Sequence, residues 1–256
     1  VDRERLATLF DLTDRVAIVT GGTRGIGRAI AEGFVAAGAK VTVASRKADA
    51  CAETEAHLAA MGGEALGVPT NLGDLDAIAA LVAATAERFG RIDIVVNNAA
   101  TALTEPIGHF TPAAYAKTMD VNLRGPVFLS QEALPYLRDS PGASIVNVIS
   151  AGAFMFSATQ ATYSAAKAGL FSFTKSTAAA WAPLGIRVNA LAPGTTLTDM
   201  ITNNPDEVVE GMRTISHLGR FADPDEMVGP ALFLASDAAS YVTGQVVLAD
   251  GGLVPH

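Results

Sequence analysis

The 256-residue sequence has almost no cysteine, no block of basic residues and no apolar run at its start, and each absence removes a class of function. Cys51 is the only cysteine, which excludes an internal disulfide and any multi-cysteine metal site. His57, His109, His217 and His256 fall at no ligand spacing, so no metal is expected. The formal net charge is −8 and no Lys/Arg-rich stretch offsets it, which disfavours nucleic acid and anionic membrane as partners. The opening residues Val1-Asp2-Arg3-Glu4-Arg5 are charged and lack the apolar segment of a signal peptide, and a soluble, cytoplasmic protein is expected. Residues 140–166 carry no formal charge, yet Pro141, Gly142, Asn147, Gln160 and many hydroxyls argue for a buried centre over a membrane span. Linkers, low-complexity tracts and internal repeats are also missing.

What is present is a hydrophobic half of the chain, ample for a core between layers of helices. Short β-branched runs at 16–20, 41–45, 65–68, 92–97, 144–149, 186–191 and 246–248 are apolar on both faces, as buried parallel strands require. Amphipathic segments separate them: Ile26, Ile30 and Phe34 share one helical face, as do Leu75, Ile78 and Leu81. This alternation predicts β-α-β units with right-handed crossovers. The expectation is a single-domain α/β Rossmann fold with a doubly wound parallel sheet of about seven strands. Residues 1–13 would lead into one domain at 14–256. Only 195–218, entered through Pro193-Gly194, breaks the rhythm, and it is expected to form a lid.

Thr20-Gly21-Gly22-Thr23-Arg24-Gly25-Ile26-Gly27 joins the first strand to the first helix. Glycines there let the backbone turn sharply and approach a pyrophosphate, which then meets the helix N-terminal amides. The second strand ends in Ser45, Arg46 and Lys47, where an NAD-binding fold usually places a carboxylate for the ribose 2′-hydroxyl. Arg46, with Arg24 opposite, suits a 2′-phosphate instead. Four of the 18 basic residues, Arg24, Arg28, Arg46 and Lys47, crowd these two turns of an acidic chain.

The glycine spacing resembles the classical short-chain dehydrogenase/reductase family, and ordered matches follow over about 11–252. They are Asn97-Asn98-Ala99, Asn122, Ser150, Tyr163 with Lys167, Asn189, Pro193-Gly194 with Thr198, and Asp250-Gly251-Gly252. The resemblance implies NADP(H) as cofactor. The implied contacts are Gly21, Thr23, Arg24, Gly25, Ile26 and Gly27 in the turn, then Ser45, Arg46 and Lys47. Asn71, Leu72, Asn98, Ala99, Tyr163, Lys167, Pro193, Gly194, Thr195 and Thr198 complete the set. Asn71 stands where the family usually has an aspartate near the adenine. Ala100 replaces a glycine, at a cost of about 1 kcal/mol should that backbone need positive φ. The resemblance also implies a homotetramer, partly through the helix bearing Tyr163 and the tail after Gly252.

Tyr163 and Lys167 lie four apart in a helical segment at 161–181 and so share a face. Ser150 closes the fifth strand, where α/β folds present functional groups. Reducing a carbonyl leaves negative charge on oxygen, so a proton donor is needed, and free tyrosine is too weak an acid near neutrality. A Lys167 ammonium and an oxidised nicotinamide would lower that pKa, while Ser150 holds the substrate oxygen. By resemblance, Lys167 also binds ribose and Asn122 holds a water linking it to solvent. Asn189 reads equally as a strand-end residue, and Thr195 and Thr198 read as cofactor contacts or helix caps. Tyr163, Ser150, Lys167 and Asn122 together favour carbonyl/secondary-alcohol chemistry over a related epimerase or a non-catalytic NADP-binding sensor or scaffold. Ala151–Phe156 residues, 101–105 and the lid make an apolar candidate pocket, with Arg213 the nearest lid cation. A neutral, moderately apolar substrate is expected. A 3-oxoacyl thioester or a sugar acid or polyol is the alternative.

Overall fold

The computed structural model describes residues 2–254; Val1, Pro255 and His256, and with them the end of the tail expected to meet a neighbour, lie outside it. Seven strands form one sheet: β1 (Val16–Thr20), β2 (Lys40–Ser45), β3 (Ala65–Pro69), β4 (Ile94–Asn97), β5 (Ser144–Val148), β6 (Arg187–Pro193) and β7 (Val246–Ala249). Every pairing is parallel, in the order β3-β2-β1-β4-β5-β6-β7. The helices are α1 (Arg3–Thr8), α2 (Gly25–Ala36), α3 (Ala48–Ala60), α4 (Leu75–Phe89), α5 (Pro112–Met119), α6 (Gly125–Arg138), α7 (Ala161–Trp181), α8 (Asp199–Thr202), α9 (Asp206–Arg213) and α10 (Val228–Ala235). The expected doubly wound architecture is borne out.

Alternation along the strands assigns side chains to two cores. Ala17, Val19, Ile94, Val96, Val146 and Val148 face the side covered by Ile30 and Phe34 of α2 and Ala231 and Leu234 of α10. Ile18, Val95 and Ile145 face the other side, against Leu81 of α4 and Leu129 and Ala133 of α6. Burial on both faces explains why these strands read as continuous apolar runs. Local signals set the ends of α4. The Asp74 carboxylate accepts from the amides of Asp76 and Ala77, and Gly90 at φ 78° closes the helix in the left-handed region.

Two strand ends differ by two residues from those expected, and the others agree to within one. β4 begins at Ile94, two residues later, because the Asp93 carboxylate accepts the Val16 amide at 2.8 Å in place of a ladder carbonyl. That carboxylate is fully buried and also accepts from Arg91 and from the Ser140 hydroxyl. β6 runs on to Pro193, where β7 supplies a partner in Ala249. Ala100 is not at positive φ, where Asp14 is the only non-glycine among the described residues, so the strain considered for it does not arise. Within the uncharged stretch 140–166, β5 is buried in the chain's own sheet, whereas Phe154, Met155 and Phe156 are exposed. At the far edge, Gly67 of β3 donates its amide to Glu55 of α3 at 2.7 Å, so that edge is partly capped.

The 195–218 segment rises from β6 as α8 and α9, neither of which buries a residue. Its ends are fixed: Thr196 bridges Ala222, and Leu218 donates to the Gly251 carbonyl at 3.1 Å. Among the described residues no helix is long and apolar enough to cross a membrane.

Candidate active site

The sheet order changes direction between β1 and β4, and a crevice opens there beyond the strand ends. Its floor is the glycine-rich turn. Gly21 sits at φ 65°, and a Cβ on it would lie 2.9 Å from both the Ala99 Cα and the Asn98 Nδ2. A Cβ on Gly27 would fall 2.3 Å from that Nδ2 and from the Gly21 carbonyl oxygen. The turn is locked from across the crevice. The Asn98 side-chain amide donates to the Thr20 carbonyl at 2.9 Å and the Gly21 carbonyl at 3.4 Å. The Thr20 hydroxyl in return accepts the amides of Asn98 and Ala99. Arg24 occupies the N-cap of α2 with no side-chain cap bond, so the first amides of a 12-residue helix point outward unused by a cap. A close backbone approach with open helix amides fits a nucleotide pyrophosphate. Thr23, Gly25 and Ile26 line the turn half-buried.

At the end of β2, Ser45 is half-buried and Arg46 and Lys47 are exposed; neither cation has an ion pair among the described residues. Arg24 differs, because its Nη1 meets the Asp199 carboxylate of α8 at 2.9 Å. Asn71 is exposed, and its side-chain oxygen accepts the Gly73 amide at 3.2 Å; Leu72 beside it is buried. Pro193 is buried at the end of β6, and Gly194 is needed there because a Cβ would lie 2.6 Å from the Asp250 Cα. The Asp250 carboxylate accepts the amides of Gly252 and Val254, so Asp250-Gly251-Gly252 is a turn-forming motif. Asn189 lies inside β6 and plays a structural part. It is fully buried, donating to the Val242 carbonyl and accepting the Gln245 amide. Thr195 is half-buried. Thr198 precedes α8 without capping it through its side chain, and its Cγ2 lies 3.0 Å from where a Gly25 Cβ would be.

Ser150, Tyr163 and Lys167 come together at the C-terminal end of β5. Ser150 sits close enough to the Tyr163 phenol to influence its ionisation, and its hydroxyl accepts the Gly152 amide at 3.0 Å. Lys167 is 1% exposed; its Nζ donates to the Val148 carbonyl at 2.8 Å and lies 5.8 Å from the Tyr163 ring centroid. Burial alone pulls its ammonium down to about 7. Burial pushes the Tyr163 phenol above the usual tyrosine range, and the neighbouring Ser150 offsets that only in part. In the cofactor-free chain burial therefore outweighs the lowering expected of the tyrosine.

Asn122 sits in a π-helical turn, Asp120–Arg124, between α5 and α6. Its side chain is committed: Nδ2 donates to the Thr101 and Thr118 carbonyls, and Oδ1 accepts the Thr101 amide. That pins the loop after β4. Pro126 has no amide to donate four residues back, and the turn takes the wider spacing in which the Gly125 amide donates to the Asp120 carbonyl. The turn went unread in the sequence, although Pro126 was its signal. A second omission is a buried chain beneath the site. Asn97 donates to Asn147 at 2.8 Å, Asn147 to Thr174 at 2.8 Å, and Thr174 to the Leu170 carbonyl, joining β4 and β5 to α7.

The lysine leaves a signature on stability. Unfolded Lys167 holds its proton up to about 10.5, whereas the native amine loses it near 7. Unfolding in that window takes up a proton, so raising the pH favours the native state. The stability of the wild type relative to Lys167→Met should rise by about 2 kcal/mol from pH 7 to 9. Urea denaturation at both pH values checks this, and parallel pH profiles for the two proteins would contradict it.

The family model described as Enoyl-(Acyl carrier protein) reductase matches residues 21–254. The L-rhamnose 1-dehydrogenase (NAD(P)(+)) of Azotobacter vinelandii is 39% identical over 94% of this chain and 97% of its own length. The 3-oxoacyl-[acyl-carrier-protein] reductase of Synechocystis is likewise 39% identical, over 95% of this chain and 98% of its own. Among solved structures, the Pseudomonas aeruginosa RhlG/NADP active-site complex superposes with a TM-score of 0.90 at 33% identity, covering 97% of this chain and 99% of that one. With the crevice, the glycine turn and the Ser150, Tyr163 and Lys167 cluster in place, these matches have one reading: the chain belongs to the classical short-chain dehydrogenase/reductase family, whose relatives here are oxidoreductases of alcohol and carbonyl groups.

Proposed function

We propose that the protein is an NADP(H)-dependent oxidoreductase interconverting a neutral, moderately apolar ketone and its secondary alcohol, with Tyr163 as general acid/base. The observation that carries the chemistry is the clustering of Ser150, Tyr163 and buried Lys167 at one strand end, with the Lys167 Nζ 5.8 Å from the Tyr163 ring. Tyr163 Oη gives its proton to the substrate oxygen in reduction and recovers it in oxidation. Ser150 holds that oxygen by a hydrogen bond. Lys167, when charged, favours the phenolate and holds the nicotinamide ribose. Bound nicotinamide supplies or accepts the hydride, and its oxidised ring adds positive charge next to the phenol. Asn122, fully buried in that turn, is the residue that holds a water returning protons to Lys167.

Cofactor choice is supported by Arg46 and Lys47, free of ion pairs at the end of β2. The relatives' names include NAD(P) and an NADP complex, in keeping with this. The substrate reading rests on the walls beside Ser150. Phe154, Met155 and Phe156 are exposed, with Phe154 edge-on to Phe171 at 5.5 Å. The facing loop is tied to them, since Glu105 donates its amide to the Thr159 carbonyl and Ile107 to that of Ala158. These two loops carry Glu105 and no lysine or arginine. Arg213, the cation nearest in 195–218, is occupied by Glu210 at 3.0 Å and by the Phe221 ring. A carboxylate buried here would lack a partner. We take 195–218 as the lid, since α8 and α9 bury nothing in the free chain. The homotetramer belongs to the same reading: β7 is an open sheet edge with four half-buried residues.

Three outcomes are expected. Tyr163→Phe should retain NADPH binding and lose about a hundred- to ten-thousandfold in kcat, measured as ketone-dependent NADPH oxidation; near-normal turnover would overturn the acid/base role. Fluorescence titration should give tighter binding of NADPH than NADH, and Arg46→Ala should weaken NADPH by about ten- to a hundredfold while sparing NADH. Equal affinities in the wild type would refute the cofactor choice. In kcat/KM, a neutral aryl or alkyl ketone should exceed a sugar acid by at least about tenfold, and the reverse order would refute the substrate class. The carrier-bound thioester and the non-catalytic sensor are separated by the same ketone assay.

A further inference from the structure

Of the three cations around the proposed 2′-phosphate position, one is already in use. Arg24 Nη1 meets Asp199 Oδ2 at 2.9 Å, joining the glycine-rich turn to the first residue of α8. The contact is backed by a second one next to it, because the Thr198 Cγ2 packs 3.0 Å from where a Gly25 Cβ would lie. The two segments lie 175 residues apart, so this is a tertiary clasp between the cofactor turn and 195–218. Both side chains are well exposed, at 73% and 59%, so the pair is weak enough to be exchanged. Arg46 and Lys47 have no such competitor among the described residues.

We propose that Asp199 is a cofactor-specificity residue, competing with the adenosine 2′-phosphate for Arg24. In the free chain the carboxylate holds the guanidinium. A phosphate with two negative charges is the stronger acceptor and takes it over, leaving Asp199 unpaired and α8 released from the turn. A cofactor with a 2′-hydroxyl offers no charge to draw Arg24 away, so the clasp persists. Asp199 thus reduces the discrimination for the phosphorylated cofactor that Arg24 would otherwise give, and it couples cofactor identity to the position of α8. Asp199 acts through Arg24; it is a positioning residue.

This inference rests on the NADP(H) reading above, and one set of titrations separates the two. NADPH and NADH are titrated by fluorescence into the wild type, Asp199→Asn, Arg24→Ala and the double variant. Asp199→Asn should bind NADPH about two- to fivefold more tightly, the range an exposed ion pair can contribute. NADH affinity should stay within about twofold, and the gain for NADPH should vanish in the Arg24→Ala background. Asparagine keeps the size and helix-start character of aspartate, and thermal melting of each variant confirms the fold. Equal wild-type affinities for the two cofactors sink the NADP(H) reading itself. A wild-type preference for NADPH that Asp199→Asn leaves unchanged or weakens sinks only the competition. A gain shared by NADH, or one that persists without Arg24, assigns Asp199 to general repulsion of the nucleotide and equally overturns it.

Discussion

The amide of one asparagine holds the two halves of the site together. Asn98 donates across the crevice to the carbonyls of Thr20 and Gly21, at the place where the sheet reverses its strand order. Without that bond the glycine turn would have unpaired carbonyls at the bottom of a cleft, and a buried acceptor left unpaired costs about 1–3 kcal/mol. The close packing of Gly21 and Gly27 against the same Nδ2 excludes any larger residue at either position. The cradle for the nucleotide is therefore formed by β4 as much as by the turn that carries the glycines.

Behind the reacting groups the chain buries polarity that has been placed with care. Lys167 is anchored on the Val148 carbonyl, one strand residue from the Ile149-Ser150 exit of β5. The Asn97, Asn147 and Thr174 relay ties that strand to the helix bearing Tyr163. Such networks fix register and orientation when every member is satisfied, although the Asn97 side-chain oxygen has no partner among the described residues. The result is a tyrosine and a serine held in mutual contact, with a lysine whose charge is undecided near neutrality. The free site is thus mechanically ready before it is electrostatically ready.

Much of this was legible in the residues. Both-face apolar runs announced the parallel strands, and the spacing of Tyr163, Lys167 and Ser150 placed them on a common face and strand end. What escaped was whatever depends on contacts distant in sequence. Asp199 is unremarkable until folding sets it against Arg24. Asp93 reads as part of a strand until its carboxylate replaces a ladder bond to Val16. The burial that raises the Tyr163 phenol in the free chain is invisible to pattern, which carries no measure of withdrawal from water. Only the π-helical turn at Asn122 had a local signal, in Pro126, and it was passed over.

The Asn98 clasp also orders events in time. Its partners are 78 residues apart, and the β1–β4 pairing beneath it cannot form until β4 is available, after the whole β2–α4 stretch has been made. Contacts of such long range form late and slowly, after loop-closure entropy has been overcome. A nascent chain that has emerged only as far as α3 would contain every glycine of the turn and no nucleotide site. Nucleotide in the surrounding solution therefore has no early template to stabilise during synthesis. It acts on the finished sheet alone, shifting the balance between folded and unfolded molecules by mass action once β4 is home.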